Sequence, residues 1–443
     1  MTLTVRGAVA LLVAFACGAT TAAAQSRPRY PAVFGGAADS NADSPETLNV
    51  LMNVTEAYDD DLLADAGATP QSGPQSSGIY SSMTPQVSWQ KHGRQFQFSA
   101  NESSTFRYYP AFNQALATNH NFGAGFSAKF GPETTLTVNQ AFSYAPTYLY
   151  ALFASPTAPL LGEPIVGAPD YQTNTLKSYT YGTNANVTRS LSRRASFSLY
   201  GDLRFTDTVG SGPGLTNMRW SDGGGRFLYS VNRNLGLRLG YTYRQSSYSP
   251  LVQTGEQDLE IGFDYVRPLS ATRRWTLGFS LGPTQVTQPS ATGGPSQTHY
   301  RVLGDVSFDH QIGHTWSARA TYRRGLSYIE TLAGPVYTDS ASVETSGFVN
   351  RRVDLSFSAA YATGELASSI GPPAPFTTYT ASSRLRVALS RVLAGYVEGL
   401  FYDYAFDPSL IIVPGMPSRL NRTGVRAGIT LWVPVRTDHR AAR

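Results

Sequence analysis

The sequence has 443 residues, 41% of them hydrophobic, 12% aromatic and only 15% charged, and its formal net charge is +5. A single cysteine excludes a disulfide scaffold or a zinc-ribbon array, and the aromatic content argues against a disordered chain. The cations are scattered arginines, with Lys91, Lys129 and Lys177 the only lysines, so nothing points to nucleic acid as a partner.

Residues 1–24 carry Arg6, an apolar run from Ala8 to Cys17, and Ala22-Ala23-Ala24 before Gln25. This is the order of a cleaved secretory signal peptide, and the run is far short of the ~20 residues of a spanning helix. Loss of 1–24 removes Cys17, the only cysteine, which suits an oxidising compartment. Residues 25–46 read as a flexible periplasmic lead-in.

From residue 47 onward the pattern has period two. Leu235, Leu237, Leu239, Tyr241 and Tyr243 alternate with Gly236, Arg238, Gly240 and Thr242. Leu259, Ile261, Phe263 and Tyr265 alternate in the same way with Glu260, Gly262 and Asp264. Such alternation marks strands with one apolar face. Eighteen segments of about a dozen residues run from 47–58 to 419–433, with sixteen as the alternative count. The connections between them alternate in length. Gly131-Pro132, Val231-Asn232-Arg233 and Asn350-Arg351 are short, whereas 59–78, 146–176 and 364–376 are long. Short periplasmic turns alternating with longer external loops are the signature of an outer-membrane barrel. A secreted β-sandwich fits less well, because its strands are usually only about 5–6 residues long. The expected fold is all-β: a transmembrane antiparallel up-and-down β-barrel over 47–433 with a C-terminal tail, 434–443, and both chain ends periplasmic.

In such a barrel the apolar face meets lipid and the other face lines the interior. The alternation sends Arg238, Arg244, Asp258, Glu260, Asp264, Arg319 and Arg323 inward on neighbouring segments. Nearer the C-terminus it sends Arg384, Arg386, Glu398, Arg422 and Arg426 inward. With Lys129, Arg204, Arg226, Arg301, Asp202, Asp305, Asp309, Glu344 and Asp354 the lining counts 12 basic against 9 acidic residues. Most are expected to pair across strands, each pair worth ~0.2–1 kcal/mol. Arg384, Arg386, Arg422 and Arg426 lie on two strands whose intervening strand offers only Glu398, so a positive stripe is expected to survive there and favour anions.

Two stretches carry a resemblance. Arg426, Gly428, Leu431 and Val433 look like the C-terminal insertion signal of bacterial outer-membrane proteins, without its terminal Phe. Residues Glu56-Ala57-Tyr58-Asp59-Asp60-Asp61 are similar to the Tyr-Asp-Asp-Asn start of a family of bacterial β-barrel porins, with Asp61 in place of the Asn. The resemblance implies the barrel-assembly machinery as a partner, outer-membrane lipid and lipopolysaccharide as surroundings, and a porin-like activity.

The function expected is passive passage of small hydrophilic solutes, anions among them. The alternatives are an exporter of an acidic exopolysaccharide, with the Arg wall as a slide, and a non-conducting structural or adhesive barrel. No H-E-x-x-H, phosphate-binding Gly loop or cysteine metal cluster is present, so no enzyme, metal or cofactor is expected. Asp59, Asp60, Asp61, His120 and His299 fall near the external end, where an Asp/His constellation is conceivable but polar residues are usually just wet. The longest loop, 146–176, is read with two outcomes open, an inward fold and an external lid.

Overall fold

The computed structural model describes residues 46–60, 77–110, 114–148, 172–209, 217–248, 252–270, 273–288, 295–313, 315–328, 335–366, 375–407 and 419–437. The expected signal peptide, the lead-in up to residue 45 and most of the 146–176 loop lie outside the described residues.

The first nine strands are β1 (Glu46–Asp59), β2 (Gly78–His92), β3 (Phe96–Tyr109), β4 (Gln114–Phe130), β5 (Thr134–Tyr148), β6 (Gln172–Ser190), β7 (Ala195–Val209), β8 (Met218–Ser230) and β9 (Leu235–Tyr248). The other nine are β10 (Val252–Ser270), β11 (Arg273–Gln288), β12 (Gln297–Ile312), β13 (Trp316–Tyr328), β14 (Pro335–Asn350), β15 (Val353–Leu366), β16 (Pro375–Ala388), β17 (Leu393–Phe406) and β18 (Arg419–Thr437). Each pairs with its sequence neighbour, and β1 pairs antiparallel with β18. The ladder therefore closes into an 18-stranded barrel, and the count of sixteen is set aside. Two expected boundaries move. The strand part of the chain begins at Glu46, and β18 runs on to Thr437, so 434–437 belong to the barrel and not to the tail.

The side-chain pattern is inside out. Leu239, Ile261, Leu281, Val425 and Ile429 are each about half exposed on the outer face. The opposite positions carry mostly Gly, Ser, Thr and Asn, together with many of the charges. An apolar exterior over a polar interior is what hydrocarbon outside and water inside demand. Strands of 13 to 19 residues exceed the ~9–11 that cross a bilayer, so both rims stand clear of it.

The short turns are stiffened locally. Gly131 and Gly313 sit at φ 69, a left-handed conformation that only glycine adopts cheaply. The Asn232 side-chain oxygen accepts the backbone N–H groups of Asn234 and Leu235, and Ser192 and Ser390 do the same in their turns. Proline accounts for several breaks in register. It has no N–H to give the ladder, and the pairing slips at Pro146, at Pro268 and opposite Pro434.

Candidate functional site: the charged lumen

Register places all twelve of the singled-out charged residues on the inward face. They fall into two regions. The first is a wall from β7 to β13. Around it a cavity of about 840 Å³ opens between β6 and β15, lined by Tyr200, Arg226, Arg238, Glu260, Asp305 and Arg323 among others. Here carboxylates are shared. Glu260 lies 3.1 Å from Arg226 and 2.8 Å from Arg238, and Arg238 also reaches Asp264 at 3.8 Å. Arg244 stands between Glu256, 2.9 Å away, and Asp222, 3.6 Å away. Asp258 accepts the Thr284 hydroxyl at 2.5 Å, and Arg319 contacts Asp309 at 2.5 Å. Arg323 stands opposite Asp305 in register, but Asp305 accepts the Ser280 hydroxyl instead.

Bare backbone keeps this wall flat. A Cβ on Gly224 would come within 2.6 Å of the Tyr200 ring, and one on Gly240 within 3.1 Å of a Glu260 oxygen. The absent side chains let the Tyr200 ring and the Glu260 carboxylate lie along the wall rather than across the lumen. Trp220 adds a platform for two cations, with the Arg204 and Arg244 guanidinium carbons 4.8 and 5.3 Å from its ring.

The second region is the seam, β15 to β18 with β1 and β2. The positive stripe expected here does not survive. Arg386 contacts Asp354 at 2.8 Å, and Arg426 contacts Glu398 at 3.8 Å. Arg422 holds both carboxylate oxygens of Asp59, its Nε at 2.8 and 2.7 Å. Asp59 had been placed in a solvated external run, but β1 ends on it with its side chain inward and 3% exposed. Barrel closure, invisible in a linear reading of neighbouring strands, supplies the missing acid. Of the four arginines, Arg384 keeps no carboxylate within 4.0 Å among the described residues; its register partners are Ser356 and Glu398. Further hydrogen bonds cross the seam. Thr430 donates to Asn53 at 2.6 Å, Arg426 Nε donates to the Tyr80 oxygen at 3.1 Å, and Thr55 and Tyr396 share a hydroxyl pair.

Among the described residues, inward charges outside the sequence reading of the lining include Arg107, Asp222, Glu256, Asp59 and Arg274. Parity alone would have found Glu256, two residues before Asp258. Asp222 was hidden by the Gly223-Gly224-Gly225 run, which hides the alternation. Adding them brings the lining close to charge balance. The conceivable Asp/His constellation is not assembled: Asp59 points inward on β1, while His120 sits on the outer face of β4, its Nδ1 2.7 Å from Ser104 Oγ. Among the described residues no cluster of three or more potential metal ligands occurs. In the insertion-signal stretch, Arg426 and Gly428 face inward, and Leu431 and Val433 face outward.

No protein-family model and no curated protein matches the chain. Among solved structures, Pseudomonas aeruginosa OpdL aligns at 10% identity over 89% of this chain and 100% of its own, with a TM-score of 0.45. OpdQ of the same organism aligns at 9% identity over 88% of this chain and 99% of its own, at 0.44. OccK2 (OpdF), solved in complex with glucuronate, aligns at 8% identity over 88% of this chain and 98% of its own, at 0.44.

Proposed function

We propose that the chain forms a porin-like channel of the bacterial outer membrane that passes small hydrophilic solutes passively. One observation carries this reading: a closed barrel, apolar outside, whose interior holds a polar cavity of about 840 Å³ lined by charges of both signs. Charges fixed to rigid strands replace part of a solute's hydration without reorganising. The short turns then face the periplasm and the long loops the outside. A weak preference for anions belongs to the same reading. Among the described residues Arg323 and Arg384 have no carboxylate within 4.0 Å, whereas most inward carboxylates are held by an Arg. A slide for an acidic polysaccharide would need a continuous row of unpaired arginines, and the pairing of Arg386, Arg422 and Arg426 interrupts it.

The test is liposome swelling with neutral sugars of increasing size, together with planar-bilayer recording at low salt. Swelling that falls with sugar size and a reversal potential of anionic sign are expected. A barrel that neither conducts nor supports swelling overturns the channel reading. Conductance blocked by an acidic oligosaccharide, with no swelling in neutral sugar, overturns it in favour of the exporter.

A further inference from the structure

The rim of short turns carries a ring of cations that the channel reading does not use. Arg94, Arg193, Arg194, Arg351, Arg352 and Arg391 sit in the turns themselves, and all six are exposed. Lys91, Arg189, Arg267 and Arg273 sit at strand ends with their side chains on the outer face, and all four are exposed. Arg233 extends the ring into the β8–β9 turn. Among the described residues, five of the eight short connections carry a basic residue between their strands: β2–β3, β6–β7, β8–β9, β14–β15 and β16–β17.

These cations are not spent on internal pairing. Among the described residues, none of those named at this rim lies within 4.0 Å of a carboxylate. The acids nearby are few and engaged. Glu46 faces Lys91 in register but accepts the Trp89 indole N–H at 3.0 Å. Asp309 and Asp354 face the lumen and are held by Arg319 and Arg386. Glu133 alone is an exposed turn carboxylate at this rim among the described residues.

The outward four have a second feature in common. Lys91 is the register partner of Phe98, Arg189 of Phe197 and Arg267 of Trp275, each ring on the outer face. Arg273 lies two residues before Trp275 on the same face. Cations just beyond an aromatic girdle stand at the depth of lipid headgroups. A soluble partner would meet one sector of the rim. These residues occur on β2, β6, β10 and β11, and the turn cations continue around the circumference. The ligand that surrounds a barrel at this depth is the leaflet itself.

We propose that this rim binds the phosphate groups of anionic phospholipids in the adjoining leaflet, through Lys91, Arg189, Arg267 and Arg273. The proposal rests on the barrel spanning a membrane, and not on its conducting. Each cation at an anionic surface weights local lipid by about fivefold. The ring thereby holds the barrel's depth and gathers acidic lipid at its base.

The experiment reconstitutes the full chain in nanodiscs of phosphatidylethanolamine with a minor share of phosphatidylglycerol, and counts retained lipids by native mass spectrometry. The wild type is expected to retain phosphatidylglycerol about fivefold above its bulk share. High salt of ~1 M, where charge is screened beyond ~3 Å, is expected to abolish that enrichment. The quadruple variant Lys91→Gln, Arg189→Gln, Arg267→Gln, Arg273→Gln is expected to lose most of it, with folding checked by heat-modifiable mobility. The turn variant Arg193→Gln, Arg194→Gln, Arg351→Gln, Arg352→Gln is expected to keep most of it. No enrichment by the wild type overturns the proposal, and this readout needs no variant to fold. Loss in the turn variant alone also overturns it, and assigns the retained lipid to the turn arginines. Sugar-dependent swelling, scored separately, tells failure here from failure of the channel reading.

Discussion

The β7–β13 wall and the β18–β1 seam contain the same chemistry and use it differently. On the wall, Glu260 serves two arginines and Arg244 serves two carboxylates, while Arg319 and Asp309 are 54% and 39% exposed. At the seam, Arg422 holds both carboxylate oxygens of Asp59, and the two are only 2% and 3% exposed. Burial decides what such a pair is for. An exposed pair in water contributes little to stability and leaves its field available to solutes. A buried pair has no field to offer the lumen, and losing one partner strands the other charge without water. The open part of the wall, with Arg226, Glu260, Arg319 and Asp309, is therefore read as the working surface, and the seam as the fastening; the buried Arg244–Glu256 pair on the wall belongs with the seam in kind.

The largest effect should come from breaking the seam. Asp59→Asn leaves Arg422 buried against a neutral amide and is expected to cost about 3–5 kcal/mol. The urea midpoint of the folded-band shift measures it, and Asp59→Leu with Arg422→Met should return most of the loss. A small cost for the single variant would mean that water reaches the seam.

Next comes the outer face, which calibrates both regions. Ile261→Arg, Leu281→Arg or Ile429→Arg, all mid-strand on the outer face, should each cost about 2–4 kcal/mol at mid-membrane depth. Ser358→Arg points inward opposite Glu344 and should cost well under that in the same unfolding assay. Equal costs on the two faces would contradict the register.

Smaller still is the change in selectivity. Glu260→Gln releases Arg226, leaves Arg238 only Asp264 at 3.8 Å, and should raise the anion-to-cation permeability ratio. The rise should be no more than about fivefold, since a unit charge at 4 Å in water is worth about 1 kcal/mol. Glu398→Gln at the seam releases only Arg426, which is buried, and should move the reversal potential less. If Glu398→Gln had the larger effect, the division between the two regions would fail. Asp309→Asn, on the exposed wall, should cost only about 0.2–1 kcal/mol in stability.

The fold was legible because a barrel writes itself in period two. Every strand has one wet and one oily side, so the inward assignment of residues such as Arg238, Glu260 and Arg426 follows from parity. Pairing was less legible. Arg238 and Glu260 lie on consecutive strands, and their contact could be read from the sequence. Asp59 and Arg422 are 363 positions apart and meet only because the last strand returns to the first. Asp222 was lost for another reason. Three glycines beside it carry no side chains, and without side chains there is no alternation to read.

Thr47 and Thr437 are register partners, so the two ends of the described barrel leave it side by side at one rim. Every strand then has two neighbours of the same kind, and the ladder holds no record of where the polypeptide starts. Linking the strand ends of β1 and β18 and reopening the chain in another connection is a circular permutation that the hydrogen bonds alone would not resist. What such a permutant would change is the order of assembly. Asp59 and Arg422 would become near neighbours along the chain, formed early instead of last, and the fastening would turn into the nucleus.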